Sequence, residues 1–300
     1  MGYSKPTLLY LKNFLFRLES LFFLKTKKIF FVLRLFTLIF LTALFSSSFA
    51  AFIPFSHALY SHNEQKMSSR LSSFLEAHDS ITPKMKEKAI QKIIDFNTDF
   101  KISPANEAKT LRRLFFAVQE TFLKEYVLYS NFFQTIDSGK YDCLTGSLLY
   151  AVFLEEIKQR GNFDYTYQLI QTPIHVFIKI ELSDKSEIIF ESTNSEKGFI
   201  TTLKAINFYL QQQAKQVEQI EKSETLFLEN KNYLNNLVTL ENATALLYFN
   251  QAVLFFNQRN FGKTLKMAKK AFYLQKNETF YDLIQLSSQE LLKNNYIVKK

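Results

Sequence analysis

Tryptophan is absent from the chain, and cysteine occurs once, at Cys143. A lone cysteine excludes an intrachain disulfide framework and a zinc cluster built on thiolates. Only 6 glycines and 5 prolines interrupt 300 residues, so long turn-rich loops are excluded and helices should dominate. Acidic residues are also short, with 28 Asp and Glu against 37 Lys and Arg, a net charge of +9. That excess is local. Residues 1–34 carry Lys5, Lys12, Arg17, Lys25, Lys27, Lys28 and Arg34 against Glu19 alone. The rest of the chain is close to balanced, so no basic nucleic-acid-binding face is expected.

Phenylalanine is what the chain has in quantity. It occurs 33 times, and hydrophobic residues make up 47% of the sequence, enough for a real core rather than disorder. With no Trp, Phe must fill the large core positions. The length fits one or two domains with extensions.

Residues 1–28 are apolar and basic together. They read either as an amphipathic helix on a membrane surface or as sequence ahead of the true start. Residues 35–53 carry no charge. Positive charge precedes this run, and Ser46, Ser47, Ser48 and Ala50 lie near its end. Ser48-Phe49-Ala50 resembles the small-x-small pattern of a signal-peptidase site. The run is also long enough to span a bilayer. A cleaved signal peptide and a retained transmembrane anchor both fit. Either places the following chain outside the cytoplasm, in the cell envelope or secreted.

Residues 56–120 read as a helical extension. The piece at 62–76 is polar and reads as solvated. Thr82-Pro83 opens the next helix, as N-cap and first helical residue, running to about Phe96. Ser103-Pro104 repeats the signal. Leu111, Leu114, Phe115, Val118, Phe122 and Leu123 then recur at helical spacing. After a loop at 136–140, Asp142 is a suitable N-cap for a helix beginning at Cys143. Gly161 is a natural stop. This predicts a helix of about five turns. Leu144, Leu148, Leu149, Val152, Phe153, Leu154 and Ile157 cover nearly its whole circumference, so it should be buried and central. The thiol sits in its first turn, where unpaired amides and the helix dipole favour an anion. Gly146 and Ser147 share its face and would let another element approach the sulfur.

Beyond Gly161 the periodicity changes. Residues 165–170, 175–182 and 187–191 read as strands, the last two joined by a turn at 183–186. A helix followed by an antiparallel sheet is an α+β order. Val176, Ile178, Ile180 and Leu182 share one face of their strand; His175, Phe177, Lys179 and Glu181 share the other. Pairing Ile188 and Phe190 with the first set puts Glu191 on the histidine's face. A shift of one residue would put Ser192 and Asn194 there. Glu191 is therefore the candidate partner of His175. Asn194 is the alternative third member, since an amide also accepts from an imidazole N–H. Cys143, His175 and Glu191 supply a thiol, a base and a group to orient the base. His57, His62 and His78 lack comparable context. From residue 203 onward the chain reads as helical. Ala245, Tyr248, Ala252, Phe256, Phe261, Leu265, Ala268 and Ala271, across a break at Asn260, resemble one tetratricopeptide repeat; a plain helical hairpin fits as well.

The pieces Asp142-Cys143-Leu144-Thr145-Gly146-Ser147-Leu148-Leu149-Tyr150, Pro173-Ile174-His175-Val176-Phe177 and Phe190-Glu191-Ser192-Thr193 resemble the transglutaminase-like superfamily, which shares its core with papain-type peptidases. The resemblance covers roughly residues 120–200 and looks like exported bacterial members with a helical-repeat tail. Three positions depart from the family pattern: Glu191 stands where Asp is usual, Phe177 where Trp is common, and Tyr141 where Gly is frequent. The resemblance implies an α+β fold, a transglutaminase-like or papain-like core of central Cys helix plus antiparallel sheet. The chain then divides into an N-terminal basic segment and signal or anchor (1–55), a helical extension (56–120), the core (121–202) and a helical, tetratricopeptide-like segment (203–300). It implies Cys143 as nucleophile, His175 as general base and acid, and Glu191 as orienting carboxylate. The implied activity is thiol-dependent acyl transfer on an amide of a protein or peptide, as a peptidase, deamidase or transglutaminase-like enzyme. Hydrolysis ranks ahead of cross-linking, because water needs no second binding site. No metal or organic cofactor is implied. The competing reading is a non-catalytic scaffold that holds a partner protein through its C-terminal helices.

Overall fold

A helix over residues 69–75 (α1) is the first element of the computed structural model, which describes residues 69–104, 106–222 and 236–297. Leu71, Phe74 and Leu75 recur at helical spacing there and are fully buried. The expectation of a solvated helix over 62–76 fails at this point, because three apolar residues in register make a stripe that polar composition conceals. Helix α2 (Pro83–Asp99) begins as expected, with the Thr82 side chain accepting from the Met85 amide and Pro at the first helical position. Helix α3 (Glu107–Phe122) starts later than Ser103-Pro104 implied. Its N-cap is Asn106, and the Ser103 amide instead donates to the Thr110 hydroxyl at 3.0 Å.

Two short strands, β1 (Glu125–Tyr126) and β2 (Lys140–Tyr141), pair in parallel around helix α4 (Phe132–Asp137). They deliver the chain to Asp142, which caps helix α5 (Cys143–Gly161). The Thr145 amide donates to Asp142 Oδ1 at 2.8 Å, and the Thr145 hydroxyl returns a contact to the Asp142 amide at 3.0 Å. This reciprocal box fixes where the helix starts. At the other end the left-handed residue is Asn162, with φ 49°, one position beyond the glycine expected to take it. Leu148, Leu149, Phe153, Leu154 and Ile157 are fully buried, each contributing about 1.5–3 kcal/mol by burial.

The sheet follows: β3 (Thr166–Gln171), β4 (Val176–Glu181), β5 (Glu187–Phe190) and β6 (Phe199–Ile200), succeeded by helix α6 (Leu203–Lys222) and strand β7 (Asn236–Val238). Its order is β6-β5-β4-β3-β7, antiparallel throughout. Ile178 lies opposite Phe190 and Ile180 opposite Ile188, so apolar residues meet on one face, as the alternation required. That face packs on α5. The other face carries Ile170, Phe177 and Ile189, covered by Ile206, Tyr209 and Leu210 of α6. The fold is thus α+β.

Helices α7 (Leu240–Asn257), α8 (Phe261–Leu274) and α9 (Glu278–Ile297) complete the chain. The break at Asn260 is real: its side chain caps α8. The expectation that residues 203–300 are helical throughout is corrected by β7. A strand of three residues is too short to leave a period, and its pairing with the edge of β3 creates it. One apolar cluster runs from Leu71 to Leu283, so residues on both sides of 120 and of 202 pack into the same core. Residues Met67–Lys300 form one unit. The uncharged run at 35–53 lies outside the described residues. Among the described residues, no helix is long and apolar enough to cross a membrane.

Candidate active site

His175 lies one residue ahead of β4 and Glu191 one residue past β5, on neighbouring strands. Continuing the register by one pair sets Glu191 opposite Phe177, on the histidine's face. The result is a contact of 2.6 Å between His175 Nε2 and Glu191 Oε2. The two side chains are 15% and 6% exposed, so solvent and salt screen the pair weakly. The thiol of Cys143, at the partly exposed start of α5, acts on the His175 ring and helps to raise its pKa. With Nε2 held by the carboxylate, Nδ1 is the ring nitrogen left for the sulfur. The fold therefore brings Cys143, His175 and Glu191 together.

Asn194 is not brought in. It is exposed, and its side-chain oxygen accepts from the Lys197 amide at 2.9 Å. The turn it closes is tight. Gly198 donates to Asn194 O at 2.8 Å and accepts from the Glu191 amide at 2.9 Å. A Cβ at Gly198 would stand 2.2 Å from Glu191 O, so only glycine fits. His78 serves a turn, accepting from the Ser80 amide at 3.1 Å. His57 and His62 lie outside the described residues.

Glu191 is gripped by more than its histidine. Oε1 accepts from the Thr193 amide at 2.9 Å and the Thr193 hydroxyl at 2.6 Å. The Tyr209 hydroxyl of α6 donates to Oε2, the same oxygen that faces His175. The two halves of the site are also tied together. Ser147 Oγ donates to Val176 O at 3.0 Å, next to the histidine, and Ser192 Oγ donates to Cys143 O at 3.5 Å. Gly146 lets Ser192 come this close, since a Cβ there would be 3.0 Å from it. Gln119 of α3 donates to Ser192 O at 2.8 Å, and Asn250 of α7 donates to Asp142 Oδ2 at 2.8 Å.

The electrostatics follow from this packing. Burial opposes charge on His175, but the hydrogen bonds to Cys143 and Glu191 and the charge of Glu191 outweigh it and push the ring up to about 10. Burial also works to raise Glu191, yet the His175 hydrogen bond and charge, then Thr193 and Tyr209, hold the carboxyl below its ordinary range. Burial pushes Asp142 up to about 6 against the hydrogen bonds of Thr145, Leu144 and Asn250. Tyr126, half-exposed at 49%, is pushed up to about 12 by burial and then by the charges of Cys143, Asp142 and Glu191. At the start of α5 the Leu144 and Thr145 amides are turned onto the Asp142 carboxylate, and the Gly146 amide onto Asp142 O. The Cys143 amide is what remains there to meet an oxyanion, fewer donors than the sequence led one to expect. Among the described residues, no three His, Cys, Asp or Glu side chains converge as a metal-ligand set.

Thr193, Tyr209 and Asn250 went unread in the sequence. Thr193, two residues after Glu191, had a legible signal, because a hydroxyl at that spacing folds back onto a preceding carboxylate. Tyr209 had none: it is one of 15 tyrosines, in a helix rich in Gln, Glu and Lys.

No protein-family model matches the chain, and no curated protein does. Among solved structures, the crystal structure of menin, described as revealing the binding site for Mixed Lineage Leukemia (MLL) protein, is similar at 13% identity and a TM-score of 0.31. The match covers 78% of this chain, which spans 62% of the menin chain. A likeness of that size defines neither a fold family nor a function.

Proposed function

We propose that the protein is a cysteine-dependent acyl-transfer enzyme with a transglutaminase-like core, acting on an amide of a peptide or protein in the bacterial envelope. The observation that carries this reading is His175 held between two groups, the Cys143 thiol on one side and the buried Glu191 carboxylate on the other. A histidine whose proton is held up to about 10 remains an imidazolium through the neutral range. It can then balance a thiolate and later supply the proton a leaving amine needs.

In the first half-reaction Cys143 Sγ bonds to the amide carbon. The C–N bond breaks, and the amine leaves with the His175 proton. In the second, water gives a proton to His175 and attacks the thioester. The C–S bond breaks, the acid is released, and the thiolate–imidazolium pair is restored. The Cys143 amide faces the developing oxyanion. A second amine in place of water would make the same chemistry a cross-link.

Alkylation of Cys143 by iodoacetamide at about pH 6 tests the reading, because an unpaired thiol is almost wholly protonated there. Fast modification that slows roughly a hundredfold in His175→Ala is the expected result. Equal rates with and without His175 would leave a scaffold that holds a partner through the C-terminal helices as the surviving reading.

A further inference from the structure

We infer that Tyr209, from outside the Cys-His-Glu cluster, is a positioning residue for the site, holding Glu191 ionised and aimed at His175. The inference rests on the acyl-transfer reading above.

Glu191 Oε2 takes two donors, His175 Nε2 and the Tyr209 hydroxyl, while Oε1 takes both donors of Thr193. The Thr193 contacts are local, two residues along the chain, and survive any movement of the turn as a whole. Apart from His175 itself, the Tyr209 contact is what ties the carboxylate to a separate element. Helix α6 lies across the sheet face that carries His175 and Glu191, and the Tyr209 ring packs edge-on against Phe177, with centroids 5.1 Å apart. That packing leaves the hydroxyl little freedom. Its proton is not given up: burial, then the Glu191 charge, push the phenol far above its ordinary value. A neutral donor on a carboxylate oxygen also lowers that oxygen's basicity. The carboxylate then orients the imidazolium without taking its proton.

The other ionisable groups facing the carboxylate are Tyr126, Tyr141 and Tyr150, phenols all raised by burial first. Asp142 is the remaining carboxyl beside the cysteine. All of these phenols, Tyr209 included, are raised above the ordinary tyrosine value, so a rate profile over about pH 5 to pH 9 carries no phenol ionisation.

Tyr209→Phe keeps the ring on Phe177 and removes only the hydroxyl. The iodoacetamide rate of the full chain is followed from about pH 5 to pH 9. The variant should react about three- to tenfold more slowly near pH 6, with the acid limb of the profile moved upward, and at the wild-type rate near pH 9, the effect expected from weakening one charge-assisted hydrogen bond. Its melting temperature should stay close to wild type. In a Glu191→Ala background the same substitution should change nothing, because the group through which it acts is gone. Superimposable wild-type and Tyr209→Phe profiles, with His175→Ala still slowed, would overturn the role of Tyr209 and leave the triad standing. A His175→Ala variant that is not slowed would overturn both.

Discussion

A single carboxylate oxygen separates the two candidates for the third position. Glu191 Oε2 is 2.6 Å from His175, while Asn194 spends its side chain on the Lys197 amide. Turnover, read as hydrolysis of peptide amides, should vanish in Cys143→Ala. It should fall by about ten- to a hundredfold in Glu191→Gln, where shape is kept and the charge that stabilises the imidazolium is lost. Asn194→Ala should change the rate by less than about twofold, its cost confined to one exposed turn. A rate in Asn194→Ala lower than in Glu191→Gln would reverse the assignment. Asp142 matters at the same scale for a different reason. It is 1% exposed and accepts from Thr145 and Asn250, so Asp142→Ala removes the N-cap and strands buried donors. The expected loss, by chemical denaturation, is about 1–3 kcal/mol.

Helix α5 and the sheet meet through small residues, and that contact sets the distance from thiol to histidine. Gly146 stands against Ser192, and Ser192 in turn holds Cys143 O and is held by Gln119. In Gly146→Ala two effects compete. Helix propensity favours Ala by about 1 kcal/mol. The new Cβ would meet Ser192 at 3.0 Å and Tyr141 at 3.2 Å, so the buried segment after Glu191 must move by a few tenths of an ångström. The propensity gain offsets much of the strain, so the melting temperature should barely change. The displaced segment carries the carboxylate, so alkylation of Cys143 near pH 6 should slow several-fold. A variant with unchanged alkylation would show that the approach at Gly146 serves packing alone.

Across the whole molecule, the segment after residue 202 completes the site rather than trailing from it. Tyr209 reaches Glu191, Asn250 reaches Asp142, and β7 extends the sheet at β3. A chain ending at Thr202 should lose cooperative thermal unfolding, monitored by circular dichroism, although Cys143, His175 and Glu191 all precede that point. A sharp melt would show the core folding alone. The site also makes stability depend on pH. His175 is held up to about 10, above its ordinary 6.5. A proton bound more tightly in the folded than in the unfolded chain stabilises the fold fully below about 6.5, and that contribution is lost as pH rises toward about 10. The urea midpoint should therefore fall across this window, and Glu191→Gln should flatten the fall by removing one reason the proton is held.

What the sequence by itself determined was local. The Asp142 cap, the apolar girth of α5 and the alternation of β4 and β5 each act within a few residues, so composition and spacing reveal them. The same alternation selected Glu191 over Asn194, because matching Ile178 and Ile180 with Phe190 and Ile188 leaves one register that buries both faces well. The α+β order followed from the change of period after α5. What only the tertiary structure decided was how this frame is closed. Ser192 meets Cys143 across 49 residues, Gln119 meets Ser192 across 73, and Asn250 meets Asp142 across 108. No local period records such contacts. Strand β7 and the Tyr209 bond to Glu191 exist because the α5 core, once folded, presents a free sheet edge and a buried carboxylate, and the lowest-energy partner for each arrives from far along the chain.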